Sequence, residues 1–438
     1  MTERLRKITQ NTDLMESLMV GVSTIVGSVF SYLLQFVLGR KLSIEDYGTF
    51  NALLSLSTII GVLSAVFATS IIKVVAEMSA SDDKNKINFL YSRIIKFSVM
   101  IGFIIFFIIF LSKSFISADL KISDPFLVIL FAITVSLSFV VLLPPSFMQG
   151  MQKFRDYSIM QIVIPFVRFL IPVIFLFLGL GLRGVFGGLP LASLISFLVG
   201  FFMLNIGFKG LKKINIDDSY KKLLTFGISF LAVNFCMSAL SNIDLIMVKK
   251  YLSPTDAGYY AGAVTLGKIL LFGSGAFSVI MFPKITALYA EGKYFLTKLK
   301  KILLMLLSVL FVGVMCYWIF PGFITQIFFG KTFANSISLL PPFSIFVAFY
   351  VLINFFVAFF LAVDKKRVGF LLLPGVIIQY IFLTIFHESL FDVIKVNIGV
   401  SFLTIVLLLI YFYISLPDLR NVKKAHFEEV LEIPSSGI

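Results

Sequence analysis

Residues 40–50 read RKLSIEDYGTF, and residues 250–260 read KYLSPTDAGYY. At an offset of 210 positions, Leu42, Ser43, Asp46, Gly48 and Phe50 stand opposite Leu252, Ser253, Asp256, Gly258 and Tyr260. Each stretch falls between two apolar runs. In each, serine and aspartate three residues apart have the spacing of a helix N-cap, where a side-chain oxygen accepts from an otherwise unpaired amide of the first turn. The glycine suits close packing of the new helix against a neighbour. The motif is therefore structural, and its recurrence implies a chain made of two halves built alike.

Outward from these turns, a hydrocarbon core of about 30 Å calls for about 20 mostly apolar residues per helical crossing. Twelve runs meet that measure: 16–39, 48–72, 94–111, 125–148, 158–180, 185–207, 222–243, 258–282, 302–320, 336–362, 368–386 and 396–415. The two turns then join the first span to the second and the seventh to the eighth, the same step in two six-helix halves. Because six is even, both halves start from the same side of the membrane, as in a parallel repeat about an axis along the membrane normal. The expected layout is a cytoplasmic segment 1–15, an amino-terminal lobe 16–207, a cytoplasmic loop 208–221, a carboxy-terminal lobe 222–415 and a cytoplasmic tail 416–438. The first run is too long for a signal peptide and lacks a small-residue cleavage site. The expected fold is an all-α polytopic membrane protein.

Composition agrees with this layout. Of 438 residues, 59% are hydrophobic and 14% charged, whereas soluble domains are about half apolar and a quarter charged. That excludes a soluble enzyme or a nucleic-acid binder, so the net charge of +14 calls for another account. Loops on the side of the amino terminus carry 26 of the 37 Lys and Arg, and the opposite loops carry nine. The positive-inside rule then puts both termini in the cytoplasm of a multi-pass protein of the cell membrane. Cys236, Cys316, His387 and His426 are too few for a disulfide framework or a metal centre, and no cofactor is expected.

The stretch L-S-x-x-D-x-G-x-[FY] after the first span, and NIDLIMVKKYLSPTDAGYYAGA (residues 242–263) after the seventh, resemble the polysaccharide-biosynthesis flippases. Their superfamily also holds the multidrug and toxic-compound extruders and the lipid II flippases. The resemblance implies two six-helix lobes around a central cavity that opens alternately to either face. It also implies a lipid-linked saccharide as substrate, alongside membrane lipids and the glycosyltransferases and polymerase of a glycan pathway as partners. The lipid II flippases carry two additional helices, and no such pair is present in this sequence.

Ionisable side chains at bilayer depth are costly and mark function by default. Arg168 lies about ten residues into the fifth span and Lys268 about ten into the eighth, each roughly 15 Å deep at 1.5 Å per residue. No Asp or Glu lies at matching depth, so the two cations, one per lobe, are expected to lack a protein counter-ion and to receive an anionic ligand. Gln161, Pro165, Arg168 and Pro172 recur at steps of four, three and four and share one helix face. Ala261, Thr265, Lys268, Phe272 and Gly275 form a comparable stripe on the eighth span. Asn234, Ser238, Ser241 and Asn242 form a polar stripe on the seventh. Such residues, like Asn51, Asn354 and Gln379, serve helix–helix hydrogen bonding as well as ligands. Asp244 closes the seventh span near its outer end, and it is the carboxylate placed to couple transport to Na⁺ or H⁺. The expected substrate site is Arg168, Lys268, Gln161 and Asn234. A small-cation or multidrug antiporter would need carboxylates to hold its cargo. A membrane glycan polymerase or ligase would need catalytic acids on a large outer loop, and the longest outer loops, 112–124 and 321–335, are short and poor in them.

Overall fold

The computed structural model describes the backbone of residues 2–79, 84–205, 231–365 and 367–431. Its described regular structure is helical throughout. The helices are α1 (Thr2–Lys41), α2 (Ile44–Ser79), α3 (Lys84–Leu111), α4 (Lys113–Asp119), α5 (Pro125–Val141), α6 (Leu143–Gly150), α7 (Phe154–Phe175) and α8 (Gly181–Leu204). They continue with α9 (Leu231–Leu240), α10 (Ile243–Tyr251), α11 (Pro254–Ala290), α12 (Leu296–Ile319), α13 (Pro321–Phe329), α14 (Leu340–Ala362), α15 (Val368–Ile385) and α16 (Leu390–Leu431). The loop expected at 208–221 and the first turns of the seventh span lie outside the described residues.

Among the described residues, ten helical stretches are long and apolar enough to cross a membrane alone. One of them, Phe154–Leu204, is 51 residues long and holds two crossings. α7 and α8 fold back along each other through a π-helical turn at Leu176–Leu180. There Gly179 (φ 81°) and Gly181 (φ 54°) adopt the left-handed backbone that L side chains avoid. A further crossing is the pair α9–α10, bent by 45° at Ser241–Asn242. The expected spans are thereby accounted for where they fall on described residues. Span four is α5 and α6 in series across Leu142, with Pro144 and Pro145 opening α6. Pro341 and Pro342 open α14 rather than bending it, since proline tolerates the first turn, where its missing amide would be unpaired anyway. The backbone of α16 runs on past the expected end of span twelve to Leu431.

The chain forms two compact units, Met1–Asn234 and Phe235–Ile438. In the first, α7 packs along both α1 and α8, α5 against α3 and α8, and α2 against α6. In the second, α14 packs on α11 and α16, and α15 lies on α16. The repeated turns have one structure. Ser43 Oγ accepts from the Asp46 amide at 3.1 Å and Ser253 Oγ accepts from the Asp256 amide at 3.1 Å. Gly48 and Gly258 are buried one turn on.

Candidate functional site

Arg168 sits near the middle of α7, a helix that keeps its α-helical form through Pro165 and Pro172. Its side chain is exposed, and among the described residues no hydrogen-bond or ion-pair partner is present for it. The rest of the expected stripe faces protein. Gly27 of α1 lies so close that a Cβ there would collide with the Gln161 carbonyl oxygen and press on Pro165. Gly188 of α8 meets the Pro172 backbone in the same way. Pro165 frees the Gln161 carbonyl from its helical bond, and the glycine backbone of α1 covers it. Gln161, Pro165 and Pro172 thus form packing surfaces on either side of an exposed guanidinium.

The carboxy-terminal unit holds a buried polar network that bears on two further expectations. Asp244, fully buried (0% exposed), does not close the seventh span. It stands in the first turn of α10, just past the bend, because Asn242 interrupts the helix and the span resumes to Tyr251. Its carboxylate accepts from the Leu245 amide at 2.8 Å, from the Tyr260 hydroxyl at 2.7 Å and from Asn397 Nδ2 at 3.1 Å. Asn397 Nδ2 also reaches the Tyr260 oxygen at 3.0 Å. Gln379 donates to Asn397 Oδ1 at 2.9 Å and to the Leu240 carbonyl at 3.1 Å. Leu240 is the last residue of α9, so Gln379 pairs a carbonyl that the bend leaves without its own amide. Helices α9, α10, α11, α15 and α16 are tied together by these bonds.

Lys268 joins the edge of this network. Its ammonium donates to Asn242 Oδ1 at 3.3 Å, while Asn242 Nδ2 donates to the Ser238 carbonyl at 2.9 Å and to Ser241 Oγ at 2.8 Å. The Asp244 carboxylate lies within electrostatic reach of the amine. Lys268 therefore does not lack a counter-charge, and the expectation that both deep cations are unpaired is corrected for this one. Depth measured from the span ends hid the pairing, because Asp244 is carried inward by the continuation of span seven. Along α11 the stripe changes character: Ala261 and Thr265 are buried, Lys268 is half-buried and Phe272 is exposed. The amine also borders a small cleft with Ser241, Phe346 and Tyr350. Asn234 lies on an exposed face of α9.

The amino-terminal unit has a counterpart at the matching turn. Gln35 Nε2 donates to Asn51 Oδ1 at 3.1 Å, the Tyr47 hydroxyl donates to Gln35 Oε1 at 2.9 Å, and Asn51 donates to the Tyr47 carbonyl at 3.0 Å. Where one unit builds this joint from neutral groups, the other builds it around a carboxylate. Tyr260 and Asn397 were not singled out from the sequence. Their signal is weak: a tyrosine inside a capping motif, and an amide eight residues into α16, behind Asp392 and Lys395.

Helical units carrying polar and ionisable groups at span depth define a multi-pass helical membrane protein. The family model for polysaccharide biosynthesis proteins matches residues 14–289, well over half of the sequence, and the chain belongs to that family. Solved structures share its fold. An inward-facing multidrug resistance MATE family transporter of the MOP superfamily is 14% identical with a TM-score of 0.73, covering 92% of this chain and 99% of its own. The lipid II flippase MurJ in an inward closed conformation is 13% identical with a TM-score of 0.69, covering 94% and 90%. A MOP superfamily transporter from Pyrococcus furiosus, described as having a binding pocket of reverse polarity, is 14% identical with a TM-score of 0.57, covering 93% and 96%. No curated protein matches the chain in sequence.

Proposed function

We propose that the chain is a flippase that moves a polyprenyl-(pyro)phosphate-linked oligosaccharide from the cytoplasmic to the outer leaflet of the cell membrane by alternating access. The observation that carries this reading is the exposed guanidinium of Arg168 midway along an apolar span, without a partner among the described residues. A cation there costs about 2.5–3.5 kcal/mol on the insertion scale, an outlay that a phosphate ligand offsets through forked, charge-assisted hydrogen bonds. Membership of a polysaccharide-biosynthesis family supports a glycan cargo. The likeness to a lipid II flippase supports a lipid-linked one. In this reading the polyprenyl tail stays in lipid while the sugar phosphate, whose unassisted passage costs tens of kcal/mol, remains solvated and bound. The protein makes and breaks no covalent bond, and its pathway partners are the glycosyltransferases and polymerase that act before and after it.

Lys268 serves as the second cation, held by Asn242 and tuned by Asp244. Asp244 is the coupling carboxylate for Na⁺ or H⁺. Gln379, which bonds Asn397 in the same network, keeps a buried Oε1 with no hydrogen-bond partner among the described residues, an acceptor left open within the network. An antiporter of cationic drugs is disfavoured because this carboxylate already accepts three hydrogen bonds and is closed from solvent. Arg168→Ala is expected to abolish glycan export while leaving folded protein in the membrane, and Arg168→Lys to keep part of it. Full export by Arg168→Ala would remove the phosphate-site assignment.

A further inference from the structure

On the amino-terminal side of their contact at Gly27, α1 and α7 line a groove together. The gap between them is a groove of about 380 Å³ in the amino-terminal unit, within the range of ligand sites of roughly 300–1,000 Å³. Its walls are Met15, Leu18, Met19 and Val22 of α1 and Ile159 and Ile162 of α7. Most of these are well exposed: Met15 66%, Leu18 58% and Val22 59%. The close approach of Gly27 to Gln161 and Pro165 closes the groove at its deep end. Its other end lies toward the amino terminus, the side that the charge distribution assigns to the cytoplasm. There Arg155, the second residue of α7, stands at the rim with an exposed side chain. Among the described residues it has no hydrogen-bond or ion-pair partner. Ser158, one turn deeper, is 5% exposed, and its hydroxyl has no hydrogen-bond partner among the described residues.

An apolar groove running about 10–12 Å along the two helices, a cation at its outer end and a hydroxyl beneath that cation with no partner among the described residues match one chemistry, a lipid whose head begins with a phosphate. We infer that this groove is the loading site for the lipid-linked substrate. The polyprenyl chain lies between α1 and α7 and its phosphate rests on Arg155 at the cytoplasmic interface, before the head group moves to Arg168. The two arginines are thirteen residues apart on one helix, about 20 Å at 1.5 Å per residue, so they serve successive positions of the phosphate and not one position together. The two methionines fit the tail, because their unbranched, flexible side chains adapt to an irregular methyl-branched chain. This inference rests on the flippase reading, and it commits to the polyprenyl phosphate rather than to a phospholipid of the leaflet.

The test uses the full chain in nanodiscs of phosphatidylcholine, with undecaprenyl phosphate or phosphatidylglycerol as probe and bound lipid counted by native mass spectrometry. Undecaprenyl phosphate should be retained in preference to phosphatidylglycerol. Arg155→Gln should weaken its retention about tenfold, the size of one lost charge-assisted contact. Ile159→Trp, which fills the groove from an exposed position, should do the same without altering the melting temperature. Equal retention of phosphatidylglycerol would mark an ordinary lipid-packing groove and overturn the inference. Unchanged binding in both variants would place the lipid elsewhere and overturn it too. Wild-type protein that flips a lipid-linked oligosaccharide in liposomes yet retains no undecaprenyl phosphate would defeat the loading site and leave the flippase reading standing. Failure to flip would defeat the flippase reading itself.

Discussion

Asp244 illustrates what a single residue in this protein is asked to do. It is fully buried and accepts from a backbone amide, a tyrosine and an asparagine on three helices. A carboxylate that well bonded is structural unless its charge state or a cation on it changes during transport. Asp244→Asn keeps an acceptor for Tyr260 but loses the charge that attracts Lys268. Initial transport rates measured with imposed Na⁺ and pH gradients should lose their gradient dependence in this variant. Dependence identical to wild type would end the coupling role. The capping serines give a simpler case. Ser253→Ala removes the acceptor for the Asp256 amide and should cost about 1 kcal/mol of stability, read as a lower melting temperature with transport retained.

At the scale of elements, helix contacts depend on small residues where backbones meet. Gly27→Val forces a branched side chain onto the Gln161 carbonyl and should destabilise the α1–α7 pair by about 1–3 kcal/mol. Gly21→Val on the same helix points into open space and should be nearly silent in the same thermal melt. The loop before α5 is tied to the start of α8 by Arg183 Nε and Asp124 Oδ2, 2.6 Å apart. The hydrogen bond from Arg183 holds the Asp124 carboxyl below the usual carboxylate range, aided by the Phe126 amide and opposed by slight burial. The folded value lies below the unfolded one of about 3.9, so the pair's stabilisation is complete above that pH and fades as pH falls toward the folded value. Melting temperatures taken below about pH 4 should show this loss in wild type and not in Asp124→Asn.

For the molecule as a whole, the spans were legible because length and apolarity per crossing are set by the bilayer, and because loop charge alternates only when the count is right. The repeated capping turn was legible because its bonds are local, three residues apart. The network around Asp244 was not. Tyr260 lies 16 residues from the carboxylate and Asn397 lies 153, and a one-dimensional depth ruler cannot show that a helix bends at Asn242 and continues. The same ruler counted Lys268 as unpaired, whereas Arg168 has no hydrogen-bond or ion-pair partner among the described residues. A cargo bearing phosphate charge would make transport voltage-sensitive, since outward movement of an anion gains about 2.3 kcal/mol per charge per 100 mV, inside negative. Flipping in liposomes should accelerate when a potential of that sign is imposed and slow when it is reversed.

The most direct measurement is outward flipping of a fluorescent polyprenyl-pyrophosphate-linked oligosaccharide in proteoliposomes, comparing wild type, Arg168→Lys and Arg168→Ala at equal amounts of folded protein. The phosphate-binding account predicts flipping by wild type, reduced flipping by the lysine variant and none by the alanine variant. Flipping by Arg168→Ala at the wild-type rate would contradict it.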